Sequence, residues 1–146
     1  MKIHYILATA YCPPKEKGEL VKTLKTLLAE DARIEEKTIE PEPVGGVFTK
    51  ELVELTLTVK RQKQIRKLLD KVLNGLDEYD RSKLFDEAER YVDSGCNFYL
   101  RLSKEEAGKG HIVLENSDPI HLRFKIASYP ASKGKAVKSL REHLKK

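Results

Sequence analysis

The chain contains no tryptophan, one methionine and two cysteines in 146 residues. Cys12 and Cys96 form no CxxC pair, which removes the usual basis for a zinc site. The four histidines, His4, His111, His121 and His143, lack metal-ligand spacing. Surface or core imidazoles are expected, and no metal or cofactor. No apolar run approaches the roughly 20 residues needed to span a bilayer, so no membrane partner is expected. The N-terminus enters a strand pattern directly, with no charged region followed by an apolar run, and no signal peptide is expected. A cytoplasmic protein with reduced thiols follows as the expectation. Phosphate-cradling glycine loops, a GxSxG elbow and an HExxH helix are all missing. Of the paired carboxylates, Glu35 and Glu36 fall on a strand, where neighbours point to opposite faces. Glu105 and Glu106 fall in a surface turn. An enzyme is therefore not expected.

Charge is what the chain has in abundance, with 35% of residues charged and a net +5. Lys and Glu dominate while Asn and Gln are scarce, a balance that fits a thermophile. The positive charge is not spread evenly. Residues 120–146 hold eight Lys and Arg against Glu142 alone, a net +7, and leave −2 for residues 1–119. Concentration of one sign favours a polyanionic partner.

Length sets one domain, residues 1–146, able to bury about two-thirds of its unfolded surface. Residues 2–10 read as a central strand, apolar on both sides and ended by Pro13 and Pro14. Residues 17–29 place Leu20, Val21, Leu24, Leu27 and Leu28 on one helical stripe. Residues 33–42 are a weak edge strand, and Gly45-Gly46 supplies a turn. Residues 50–60 return as a strand with Val53, Leu55, Leu57 and Val59 inward, pairing with the edge strand as a hairpin. Helices follow at 61–76 and 80–92, the second stopped by Gly95 in a left-handed cap. The final helix spans 132–144, with Ser132 as N-cap and Ala136, Val137, Leu140 and Leu144 inward. The element order β-α-β-β-α-α-β-β-β-α predicts an α+β fold: two layers, a mostly antiparallel sheet with helices packed on one face.

Residues 98–129 carry the functional signal. Phe98, Leu100 and Leu102 alternate with Tyr99 and Arg101. Ile120, Leu122, Phe124 and Ile126 alternate with His121, Arg123 and Lys125. Period-two alternation gives strands with one buried and one wet face. The wet face is then a row of cations beside an aromatic, the pattern of a nucleic-acid surface. Two further groups join the candidates. Lys133, Lys135 and Lys138 lie on the basic last helix. Arg61 and Lys63 crowd the start of the helix at 61–76, where the dipole makes cations unfavourable by roughly 0.3–1 kcal/mol each. A bound phosphate would offset that cost; a solvated face would tolerate it.

The run LRLSKEEA at 100–107, followed by Gly110, resembles the LRLDKQxA…G signature of an archaeal RNA-binding family described as predicted exosome subunits. Lys125-Ile126-Ala127-Ser128-Tyr129-Pro130 resembles its IKVxxYP segment, and residues 45–49 resemble its glycine turn more loosely. Ser103 stands where the family has Asp, and Glu105 where it has Gln. A threonine-glutamate pair that follows the family's first strand is absent. The family resembles in fold the ribosomal protein that binds 5S rRNA. The resemblance implies RNA binding, an α+β two-layer fold, and roles for Arg101, Lys104 and Gly110.

The functional expectation is a non-catalytic RNA-binding module. Structured or double-stranded RNA is favoured, because aromatics are few and shape reading needs mainly cations. RNA-processing proteins such as the exosome are implied partners. The alternative is a protein–protein adaptor, or a homodimer formed through the wet face or the weak edge strand.

Overall fold

A computed structural model describes residues 1–28, 33–41 and 50–145. Its five strands are β1 (Ile3–Cys12), β2 (Ile34–Ile39), β3 (Leu52–Val59), β4 (Asn97–Leu102) and β5 (Ile120–Ile126). Among the described residues the α-helices are α1 (Lys17–Leu27), α2 (Gln62–Gly75), α3 (Glu78–Asp86), α4 (Ala88–Tyr91), α5 (Lys104–Gly108) and α6 (Lys133–Leu144). The strands form one sheet of order β2-β3-β1-β5-β4, and every neighbouring pair is antiparallel. The fold is the expected α+β arrangement. The diglycine turn and the family's glycine turn lie outside the described residues.

The alternation read from sequence builds the two faces. Val53, Leu55, Leu57 and Val59 are buried on β3, Phe98, Leu100 and Leu102 on β4, and Ile120, Leu122, Phe124 and Ile126 on β5. Phe98 and Phe124 are cross-strand partners whose rings stack at 5.0 Å. On β1 the buried set is Ile6, Ala8, Ala10 and Cys12, with Ile3 brought inward by a register shift between Ile3 and Ile6. The shift places Ile3 and Ile6, three residues apart, on the same buried side. Helix α2 covers the sheet with Ile65, Leu68, Leu69, Val72 and Leu73, all at 2% exposure or less. Truncating such a leucine to alanine costs about 2–5 kcal/mol.

Three expectations are corrected. The helix expected over 80–92 is broken at Glu87, whose φ of −108° and ψ of 27° separate α3 from α4. No proline or glycine marks the break. Tertiary packing sets it, since α3 and α4 both rest on α6 and α4 also on β4. The left-handed residue after α4 is Cys96 (φ 63°), not Gly95. The Asp93 carboxylate accepts from the Gly95 and Asn97 amides at 2.9 and 3.0 Å, and this bracing moves the turn one residue on. The element order implied a strand between the alternating runs at 98–102 and 120–126, but residues 111–115 do not join the sheet as one. They make one bridge, Leu102 to Leu114, because Gly110 turns at φ 84° and Ile112 packs against Gly75. A Cβ on Gly75 would stand 2.6 Å from Ile112 Cγ1, so the close approach requires glycine.

Candidate nucleic-acid interface

The register assembles the wet face. Across β4 and β5, Tyr99 pairs with Arg123, Arg101 with His121, and Asn97 with Lys125. Across β5 and β1, Arg123 pairs with Leu7 and His121 with Thr9. Beyond β1 the same face continues into Thr56 and Glu54 on β3, then Glu35 and Lys37 on β2. The face is therefore divided, with cations on β4 and β5 and the acids Glu35 and Glu54 on the far strands.

Each member of the cationic half is held differently. Arg101 is exposed on β4, opposite His121. The Arg123 guanidinium is half-buried and lies 5.8 Å from the centre of the Tyr5 ring. Its Nη2 donates to the Tyr5 hydroxyl at 3.4 Å, while its Nε is buried without a partner. Lys125 Nζ donates to the Gly95 carbonyl. Tyr99 is 40% exposed and its hydroxyl donates to Asp93 Oδ2 at 2.7 Å. That bond to a carboxylate, followed by burial, pushes the Tyr99 phenol above its ordinary value. Burial pushes Asp93 upward, but hydrogen bonds from the Asn97 amide, the Tyr99 hydroxyl, the Asn97 side chain and the Gly95 amide outweigh it. They bring its carboxyl below the ordinary value. His121 is also lowered, first by partial desolvation against the sheet and then by the Arg101 cation. At neutral pH it is an uncharged imidazole, so the expected row of three cations on β5 holds two.

The remaining candidates lie elsewhere. Lys104 Nζ donates to the Tyr11 carbonyl and to Asp118 Oδ2, tying the β4–α5 junction to the end of β1. Gly110 lies behind the sheet, in a cleft with Lys71 and Gly75 of α2. Lys133, Lys135 and Lys138 are on α6, in the helix layer rather than on the wet face. Lys135 Nζ donates to the Tyr129 carbonyl at 3.2 Å. Arg61 is the N-cap residue of α2 and Lys63 lies in its first turn, which contains no acidic residue. Gln62 of that turn donates to the Ile3 carbonyl, placing the start of α2 at the sheet end where β1 begins and β5 finishes. Sequence reading missed Tyr5 and Asp93, which hold Arg123 and Tyr99. The register shift in β1 hid Tyr5, and Asp93 read only as a helix stop.

A family model described as RNA binding matches residues 5–126. The chain belongs to this RNA-binding family. RNA-binding protein PAB1135 of Pyrococcus abyssi is 31% identical over 146 residues, covering 99% of this chain and 95% of that protein. Among solved structures, the DUF54 protein Mth689 of Methanothermobacter thermautotrophicus superposes with a TM-score of 0.80 at 25% identity. That match covers 97% of this chain and 98% of Mth689. Protein AF2318 of Archaeglobus fulgidus shares the fold with a TM-score of 0.81, at 20% identity over 97% of this chain and 99% of its own. The family resemblance read from residues 100–110 and 125–130 is upheld. In this fold the family signature is mostly structural. Leu100, Leu102 and Ala107 are core residues, and Ser103 caps α5 by accepting from the Glu106 amide at 3.2 Å. Serine and aspartate both cap well, which accounts for the change from the family's Asp. Lys104 is a clamp and Gly110 a left-handed turn, so Arg101 is the motif residue on the wet face of the sheet.

No helix among the described residues is long and apolar enough to cross a membrane.

Proposed function

We propose that this chain is a non-catalytic RNA-binding protein that takes structured or double-stranded RNA on the β4–β5 half of its open sheet face. The observation that carries the reading is the cross-strand cluster of Arg101, Arg123 and Lys125 around Tyr99, in a member of an RNA-binding family. Arg and Lys neutralise phosphates and position the nucleic acid without reading sequence. Tyr99 keeps a ring face open for a ribose or an unpaired base, while its tethered hydroxyl fixes the ring. The rim formed by Lys133, Lys135, Lys138, Arg61 and Lys63 extends the positive field along the helix layer and the sheet end. Lys104 and Gly110 serve the site by shaping it. A role in RNA processing beside the exosome belongs to the same proposal, and co-purification of exosome subunits with the tagged chain, resistant to ribonuclease, tests it.

The direct test is a fluorescence-anisotropy titration against duplex RNA, single-stranded RNA and duplex DNA of equal length, at low and near-physiological salt. Salt-sensitive binding with duplex RNA preferred is the expected result. Absence of binding to all three at low salt overturns the proposal. One observation favours a second reading: β2 is an outer strand carrying Glu35, Glu36 and Lys37, and its outer side has no strand partner among the described residues. A homodimer paired through β2 would show by sedimentation as a doubled mass that persists at high salt.

A further inference from the structure

We infer that the cleft along the outer edge of β4 receives one unpaired nucleotide extruded from RNA lying on the β4–β5 face. This rests on the RNA-binding reading above and adds the feature of the RNA that the site selects.

The edge of β4 is closed at both ends and open in the middle. At one end Val92 bridges Phe98, and the Asp93 amide donates to the Asn97 carbonyl at 3.0 Å. At the other, the Glu115 amide donates to the Arg101 carbonyl and the Ser103 amide to the Val113 carbonyl, at 3.0 and 2.8 Å. These bonds fix which backbone groups of β4 point outward: those of the odd-numbered residues. Between the two closures the Tyr99 carbonyl and the Arg101 N–H face away from β5. Neither has a partner among the described residues. An acceptor and a donor side by side on a strand edge match the alternating donors and acceptors along the edge of a nucleobase.

A cleft of about 420 Å³ lies against this gap, walled by α3, α4 and residues 114–116. Its volume falls in the roughly 300–1,000 Å³ range of small-ligand sites. Tyr91, half-buried at the end of α4, offers an aromatic wall. Lys83 and Arg90 stand at the rim, both exposed; Arg90 makes a 3.4 Å contact with Glu87, and its side chain is 79% exposed. Arg101 and Tyr99 belong to both the cleft and the wet face, so the two surfaces are continuous. A phosphate held by Arg101 on the face leaves the adjoining base beside the edge, within reach of the rim cations. Extrusion is least costly for a base that is already unpaired, which points to a bulge rather than a perfect duplex.

The test compares two fluorescein-labelled RNA duplexes, one perfect and one identical except for a single bulged nucleotide, titrated with the full chain, with Tyr91→Leu and with Lys83→Ala/Arg90→Ala. The wild-type chain is expected to prefer the bulged duplex by about tenfold or more, the scale of one base stacked on an aromatic wall. Tyr91→Leu is expected to lose most of that preference and the double variant part of it, while both still bind the perfect duplex. The two rim substitutions are at exposed positions, and a melting curve checks the fold. The bulge replaced by 2-aminopurine gives a second readout, a fluorescence change on binding that Tyr91→Leu suppresses. Equal affinity for the two duplexes in the wild type overturns the cleft and leaves the face standing. So does a preference unchanged in the double variant. Binding to neither duplex overturns the RNA-binding reading itself, and the cleft with it.

Discussion

Removing the three cations of the β4–β5 face should change the salt dependence of RNA binding, more diagnostically than it changes affinity at any one salt. The perturbation is Arg101→Ala with Arg123→Met and Lys125→Met. The methionines keep apolar stems in place, which matters most for Arg123, whose side chain lies over Tyr5. The Arg123→Met change removes a buried Nε that has no partner, and the Tyr5 hydroxyl gives up only its long 3.4 Å bond from Nη2. If each residue neutralises one phosphate, the slope of log K against log salt becomes shallower by roughly 2–3. Over a fourfold rise in salt the wild type should then lose roughly 16- to 64-fold more affinity than the variant. The assay is anisotropy against duplex RNA over a salt series from 50 to 200 mM, with a urea melt of both proteins alongside, on the range where such slopes are read. A variant that binds more weakly with the same slope refutes the reasoning, since the phosphates would then be met elsewhere. The single Arg101→Ala variant should take the largest share. Lys125 is also bonded to the Gly95 carbonyl and Arg123 to Tyr5, so both are less free to reach a phosphate.

Lys104→Met should destabilise the fold by about 1–3 kcal/mol in a urea titration, because the part-buried Tyr11 carbonyl loses its donor, while the salt slope of RNA binding stays as in the wild type. Gly110→Ala should cost about 1–2 kcal/mol for the left-handed backbone, although no atom lies within 4 Å of the added Cβ. Unchanged stability would mean that the loop relaxes out of φ 84°. For His121 the folded-state value lies below the ordinary 6.5, so the unfolded chain takes up the proton first as the solution is acidified. Its contribution to stability is present above pH 6.5 and is lost as the pH falls through the folded value. Protonation in the native state also adds a cation to the face, so RNA affinity should rise over the same fall in pH. His121→Gln should flatten both trends, measured by melting and by titration at matched ionic strength.

How much of this was legible in the sequence depends on whether the cause was local. Strands β3, β4 and β5 were readable because a sheet with one buried face imposes a period of two, and Val53 to Val59 and Ile120 to Ile126 obey it without exception. The break at Glu87 and the single bridge at Leu114 were not readable, since both follow from how distant segments pack, α6 against α4 and Ile112 against Gly75. The candidate site divides along the same line. Alternation found Tyr99, Arg101, Arg123 and Lys125 as one surface, for strand register alone puts them together. Charge counting grouped the lysines of α6 and the start of α2 with them, yet net charge along a chain has no direction in space, and these residues belong to other surfaces. The motif at 100–110 shows a third case. Its pattern identified the family correctly, but the residues that define it mostly hold β4, α5 and the following turn in shape. A caps-and-clamps motif of this kind fixes where Arg101 points, beside the part of the β4 edge that has no partner among the described residues. Its link to nucleic acid then runs through the strand it positions, and substitutions at Ser103, Lys104 or Gly110 should register first in stability and only through it in binding.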